Sequence, residues 1–409
     1  MKKLLALLLA VVMLLSLAAC GTAQDEILGM SESPLPSATI TKDYEIPDDF
    51  KIGIICLHDE KSTYDLNFIN AVEDAKKALG LADSQVLVKT NIDESEECYQ
   101  AAADLVSQGC SVVFANSFGH EDFMIKAAKE FKDVEFCHAT GTKAHIEKLD
   151  NYHNAFASIY EGRYLAGIAA GMKLNEMIEA GDIKAEEAKM GYVGAYTYAE
   201  VISGYTSFYL GAKSVCPSVT MDVQFTGEWY DATGEKNAAE ALIARDCVLI
   251  SQHADSMGAP SACEAKGIPN ISYNGATYDA CPSTFMVSSR IDWAPYFNYI
   301  IKCAVTDEKI ATDWCGGIEE GSVVLTGINQ DVVAEGTIDA IKDAIAGIKD
   351  GSVKVFDTKN FTVDGKAVTS HKVEDVEIIK DGAFIESEVQ SAPYFDLKVD
   401  GITRLNEEF

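Results

Sequence analysis

"KIGIICLHDEKSTYDLNFINAVEDAKKALG", residues 51–80, is the stretch that decides the fold. It opens with a short apolar run carrying Ile52, Ile54 and Ile55, the composition of a strand buried on both faces. From Asp65 to Leu79 apolar residues recur at helical spacing and stop at Gly80, which reads as a helix and its terminator. Strand, polar loop and helix in that order are the first half of a βαβ unit, so a parallel sheet is expected.

Outward from this unit the rhythm repeats. "QVLVK", "SVVFA" and "VEFCHA" read as strands, with helices "SEECYQAAADLVSQG" and "EDFMIKAAKEF" among them. A longer helical segment, "YEGRYLAGIAAGMKLNEMIEAG", follows. The alternation then restarts at "KMGYVG" and runs through "TMDVQF", "CVLIS", "PNISYN" and "STFMVSS" to the helix "APYFNYIIKCAV". "SVVLTGIN" returns to strand. Two α/β lobes are expected, each Rossmann-like with a parallel sheet, joined by a hinge that the chain crosses several times. The boundaries are 50–158 for the first lobe, with return segments from about 290–325, and 159–289 for the second. Residues 326–409 form a helix and strand segment packing on the lobes.

With 409 residues, two domains are the natural expectation, and 48% apolar residues suffice for globular cores. The chain carries 64 acids against 33 bases, a formal net charge of −31. Such a surface repels nucleic-acid phosphates and anionic headgroups, so no nucleic-acid partner is expected.

The start, "MKKLLALLLAVVMLLSLAAC", has two lysines, an apolar run and then small residues. It reads as an export signal over 1–19. Leu17 to Gly21 resembles the lipobox of bacterial lipoproteins. Acylation of Cys20 then tethers the chain to the extracytoplasmic face of the cell membrane. Residues 20–49 are rich in Ser, Pro, Thr and acids and read as a disordered tether. The ten other cysteines lack a C-x-x-C pair, and most sit in apolar runs. They read as buried thiols, with no metal centre. Gly191 and Gly194 do not complete a G-x-G-x-x-G, so no nicotinamide or other cofactor is expected.

In such folds ligands gather beyond the carboxyl ends of parallel strands, and polar, aromatic loops stand there repeatedly. They are "HDEKSTYDLNF", "NSFGHED", "GAYTYAE", "TGEWYDATGE", "SQHADSMGAP", "NGATYD" and "SRIDWAP". Aromatic rings stack on planar ligands, and Asn and Asp supply paired donors and acceptors.

Lipobox, tether and two lobes resemble the substrate-binding lipoproteins of ATP-binding-cassette importers, whose fold is the type I periplasmic-binding-protein class. "IYEGRYLAG", "WYDATGE", "SQHADS" and "WAPYF" are similar to words of the basic membrane protein family, which binds purine nucleosides and bases. The resemblance spans roughly Lys51 to Thr326. It implies a purine-like solute held between the lobes and a membrane permease as partner. By position it implies Asp59 as an acceptor, Phe68 as a stacking face with Tyr64 and Asn67 nearby, and Ser117 and Phe118 from the same lobe. From the second lobe it implies Trp229 as the opposing ring, with His253 and Asp255 reading polar edges. Asn274 and Arg290 stand where nucleoside binders carry an aspartate and a lysine, and Trp293 fits the base-binding branch. By periodicity alone Phe68 belongs to the buried face of its helix. Two alternatives stay open: a nucleoside-processing hydrolase using His253 and Asp255 as acid and base, or a ligand sensor.

Overall fold

A computed structural model describes residues 29–409. The expected export signal and Cys20 lie outside the described residues.

The opening stretch forms β1 (Ile52–Ile55) and α1 (Thr63–Leu79). The helix begins where Ser62 accepts a hydrogen bond from the Asp65 N–H, and it ends where Gly80 turns left-handed at φ 71°. The first lobe continues with β2 (Val86–Lys89), α2 (Glu96–Ser107), β3 (Val112–Ala115), α3 (Glu121–Glu130), β4 (Glu135–Ala139), α4 (Ala144–Glu147) and β5 (Tyr152–Ala157). Ile54 pairs with Val88 on one side and Phe114 on the other, which explains its buried, β-branched character.

The second lobe holds α5 (Ile159–Ala180), β6 (Lys189–Gly194), α6 (Ala199–Val215), β7 (Thr220–Phe225), α7 (Ala232–Ile243), β8 (Leu249–His253), α8 (Gly258–Lys266), β9 (Asn270–Tyr273) and β10 (Phe285–Ile291). The chain then returns through α9 (Ala294–Thr306), which packs on α1, and β11 (Asp313–Gly316), which pairs with β5. It crosses again to β12 (Val323–Leu325), antiparallel to β10. α10 (Thr337–Lys349) packs on α5, and β13 (Ile402–Arg404) pairs with β7.

The first sheet therefore runs β11-β5-β4-β3-β1-β2, parallel throughout. The second runs β12-β10-β9-β8-β6-β7-β13 and is parallel except at β12. This is an α/β, two-lobe architecture. Three crossovers join the lobes, at residues 157–159, 291–294 and 316–323. Helices α5 and α6 touch backbone to backbone: a Cβ on Gly167 would stand 2.1 Å from the Phe208 carbonyl oxygen, and one on Gly211 would stand 2.0 Å from that of Tyr164.

Three features differ from the sequence reading. Residues 30–50, within the segment expected to be a disordered tether, lie along the folded body. Leu35 is buried in the core, its carbonyl accepts from the Leu325 N–H at 3.0 Å, and the Tyr44 hydroxyl donates to Asn298 Oδ1 at 2.8 Å. Scattered Leu, Ile and Tyr among the polar residues give that stretch enough apolar surface to dock. β5 was not expected, because "YHNAFA" mixes polar and apolar residues. It is nevertheless wholly buried, since His153 meets Glu135 at 2.8 Å and Asn154 Oδ1 accepts from the Ala144 N–H at 2.8 Å. Beyond α10, residues 355–400 fold around a small aromatic core in which Phe356 stacks on Phe395 at 4.5 Å.

The ten cysteines of the folded part are free; nine are buried, and Cys315 is half-buried. Among the described residues no helix is long and apolar enough to cross a membrane.

Candidate functional site

The carboxyl ends of β1, β3, β4, β6, β7, β8 and β9 converge between the lobes around a narrow cavity of about 20 Å³. Leu57, His58, Tyr64, Asp65, Ser117, Phe118 and Thr140 line it from the first lobe. Glu200, Trp229, His253, Asp255 and Tyr273 line it from the second.

In the first lobe one carboxylate organises the wall. Asp65 accepts from the His58 N–H at 3.0 Å, Ser62 Oγ at 2.6 Å and Asn116 Nδ2 at 2.7 Å. Burial works against its charge, but these bonds outweigh burial and hold it below the ordinary carboxylate range. The same carboxylate, 3.4 Å from His58 Nδ1, raises the His58 imidazole. Tyr64 donates to the Asn116 carbonyl at 2.7 Å, and Ser117 donates to Glu94 at 2.6 Å. The loop after β1 is thus fixed to the loop after β3.

In the second lobe Trp229 packs edge-on against Tyr196 at 5.0 Å, and Tyr196 stacks on Tyr198 at 4.9 Å. The Asp255 N–H donates to the Trp229 carbonyl at 2.9 Å, which couples the loops after β7 and β8. His253 is buried at the end of β8, beneath a helix that only glycine lets approach. A Cβ on Gly204 would stand 2.4 Å from its Nδ1. Burial lowers its pKa, so the ring is neutral near pH 7. Its Nε2 stands 3.5 Å from Glu200, and neither ring nitrogen has a hydrogen-bond partner; the Tyr273 hydroxyl also lacks one. Burial, with the nearby Asp65, Glu235 and Glu200 carboxylates, pushes Asp255 well above the ordinary range. Its nearest side-chain partner is Asn274 Nδ2 at 3.5 Å.

The lobes meet across the cavity. The Thr63 N–H donates to the Asp255 carbonyl at 3.1 Å, Asn67 Nδ2 donates to Asn274 Oδ1 at 3.1 Å, and Phe118 faces Tyr198 at 5.1 Å.

Of the residues expected from sequence, Tyr64, Ser117, Phe118, Trp229, His253 and Asp255 are brought together on the wall. Asn67 and Asn274 lie beside it as an inter-lobe pair. Four lie elsewhere. Asp59 is outside the cavity, accepting from the Lys61 N–H at 3.1 Å. Phe68 and Trp293 are fully buried and stack on each other at 4.6 Å, forming core beneath the site. Arg290 reaches away to Ser37 Oγ at 2.8 Å. The sequence reading missed Leu57, His58, Asp65, Thr140, Glu200 and Tyr273, although Leu57, His58, Thr140 and Tyr273 follow or end an apolar strand and Asp65 and Glu200 stand in the first turn of the next helix. Because Asp59 is a solvent-side turn residue, Asp59→Ala is expected to leave solute affinity within about twofold, as surface substitutions do. Calorimetry checks this.

Among the described residues no group of His, Cys, Asp and Glu is placed to hold a metal ion. Aromatic faces and buried, unpartnered polar atoms around an enclosed space between two lobes define a solute-binding protein. A family model described as ABC transporter substrate-binding protein PnrA-like matches residues 55–359, and the chain belongs to that family, Bmp. The purine-binding protein of Brucella abortus is 30% identical over 281 residues, covering 68% of this chain and 76% of that protein. A Haloferax volcanii protein named as ABC transporter glucose-binding TsgA13 is 30% identical over 239 residues, 58% of this chain and 56% of that protein. The solved solute-binding protein of an ABC transporter system from Conexibacter woesei has TM-score 0.60 at 19% identity. The match covers 75% of this chain and 98% of that one. That likeness shows the two-lobe fold.

Proposed function

We propose that this substrate-binding protein captures a purine-like base or nucleoside between its lobes and delivers it, from a lipid anchor on the extracytoplasmic membrane face, to an ABC permease. The observation that carries the reading is the cavity wall itself. Tyr64, Phe118 and Trp229 offer rings, while both His253 ring nitrogens and the Tyr273 hydroxyl are buried with hydrogen-bond capacity left unused, beside the buried Asp255. Such capacity is costly unless a ligand takes it up, and a flat heterocycle ringed by donors and acceptors does so. The ligand contacts both lobes, so its binding energy favours the closed form that a permease recognises.

The proposal makes the protein a carrier, with no bond made or broken. His253 is neutral and has no partnered base or acid beside it other than Glu200 at 3.5 Å. Calorimetry with adenine, guanine, adenosine, guanosine and glucose tests the reading. Affinity in the micromolar range or tighter, roughly 8 kcal/mol or more, is expected for a purine. Binding of glucose alone would move the site to sugars and end the purine reading.

The anchor is tested separately. Cys20→Ser is expected to shift the protein from the membrane to the soluble fraction on cell fractionation while leaving solute affinity unchanged.

A further inference from the structure

The chain beyond α10 is built into the second lobe. Phe356 packs on Tyr160 of α5 at 5.2 Å and stacks on Phe395 at 4.5 Å, and Phe384 joins the same rings at 4.6 Å from Phe395. Buried Glu386 braces this cluster, accepting from the Tyr394 N–H at 2.8 Å and the Phe395 N–H at 3.2 Å. The chain then enters the second sheet. There β13 pairs with β7, and Asn406 exchanges two hydrogen bonds with the Phe225 backbone at 2.9 and 3.0 Å. Rings, ladder and buried carboxyl fix this segment to that lobe. From residue 360 onward it lies outside the family match.

The same segment also grips the first lobe, and there by polar contacts. The Ser391 N–H and Oγ both donate to Asp313 of β11, at 3.0 and 3.1 Å. His145 of α4 stands between that carboxylate, at 3.5 Å, and Glu374 of the segment, at 3.2 Å. Thr142 of the first lobe, Tyr198 of the second and Tyr394 of the segment border one open space, so the segment lies along the flank of the cleft. Two lobes joined by crossovers part by rotating about those joints. A body fixed to one lobe travels with it, and its bonds to the other lobe exist only while the lobes are together.

We propose that residues 355–404 form a clasp, carried by the second lobe, whose grip on Asp313 and His145 of the first lobe holds the protein closed and slows release of the solute. A contact made in only one of two states shifts the balance toward that state by its own strength. The bonds from Thr63 to Asp255 and from Asn67 to Asn274 join the lobes at the cavity, and the clasp adds to them from the flank. A solute enclosed by residues of both lobes leaves only when the lobes part. Each bond added to the closed form therefore lengthens its stay, and the effect falls on the dissociation rate. The clasp acts on whatever solute the cavity takes, independently of the purine reading.

The test compares the full-length chain with its Asp313→Ala and Asp313→Asn variants. The amide keeps an acceptor oxygen for Ser391, and the methyl group does not. Small-angle X-ray scattering of the solute-free proteins and stopped-flow release of adenine and guanosine are the readouts. Asp313→Ala is expected to show a larger radius of gyration than wild type. It is also expected to release solute about tenfold faster, while Asp313→Asn stays within about twofold of wild type. Thermal melting checks the fold. If Asp313→Ala melts early, His145→Ala, which leaves β11 untouched, carries the same comparison. Unchanged scattering or an unchanged release rate in a folded variant overturns the clasp. Equal acceleration in Asp313→Ala and Asp313→Asn also overturns it, because an acceptor for Ser391 is then not what holds the lobes. If wild type binds neither adenine nor guanosine, the purine reading falls and the scattering comparison alone decides the clasp.

Discussion

Trp229→Ala is expected to raise the dissociation constant for the solute by about tenfold to a hundredfold, since a ring stacked on a base contributes roughly 1–3 kcal/mol. The fold should survive. Trp229 sits in the loop between β7 and α7, and its backbone carbonyl, which the variant keeps, is what holds Asp255. Tyr196 and Tyr198 pack against the indole from one side, so its other surface faces the cavity in a fixed pose. A pre-positioned ring loses little freedom on binding, which is why the whole stacking energy is available to the ligand. Calorimetry with the best-binding purine, alongside thermal melting of the free protein, separates lost contact from lost fold. Unchanged affinity with an unchanged melting curve would remove Trp229 from the ligand's surroundings and with it the ring face the second lobe offers.

Trp229 was legible in the sequence for a physical reason: a large ring between Glu228 and Asp231, just past an apolar strand, has no core to enter. The same logic found His253 and Asp255 after β8 and Phe118 after β3. It failed where a site residue lies on regular structure. Asp65 and Glu200 stand in the first turns of α1 and α6, where an acid is the ordinary complement to a helix start. Tyr273 ends a strand whose aromatic residues look like core. Phe68 is the converse case. Its helical spacing placed it inside, and only the family resemblance moved it to the ligand. The structure returns it to the core, stacked on Trp293. β1 and α1 were readable because their periodicity is undiluted. β5 was not, because its burial depends on partners for His153 and Asn154 that lie far along the chain or across the sheet.

The stability contributed by three buried carboxyls is expected to fall as pH rises from about 4.5 through 7, while the buried imidazoles His120 and His138, held at about 4, contribute in the opposite sense over the same range. Burial is the largest cause in each, and it raises Glu161, Glu235 and Glu386 to about 7. A carboxyl whose folded value exceeds its unfolded one binds its proton more tightly when folded. The stability this gives is fully present below the unfolded value and is lost as pH climbs through the folded value. Glu235 is the informative member, because it accepts from the Ser256 N–H at 3.2 Å and adds to the field that raises Asp255 on the cavity wall. Glu235→Gln keeps the shape of the protonated acid and removes the ionisation. At pH 8 the variant is expected to be more stable by on the order of 3 kcal/mol, a Tm higher by roughly 3–5 °C. Near pH 4.5 the two proteins should melt together. A gain of equal size at both pH values would mean that packing, not charge, separates them. No gain at pH 8 would mean that Glu235 reaches water when ionised, and the wall around Asp255 would then be wetter than its burial implies. A dry wall is what makes the unused polar atoms of His253 and Tyr273 expensive, and so available to a ligand that satisfies them.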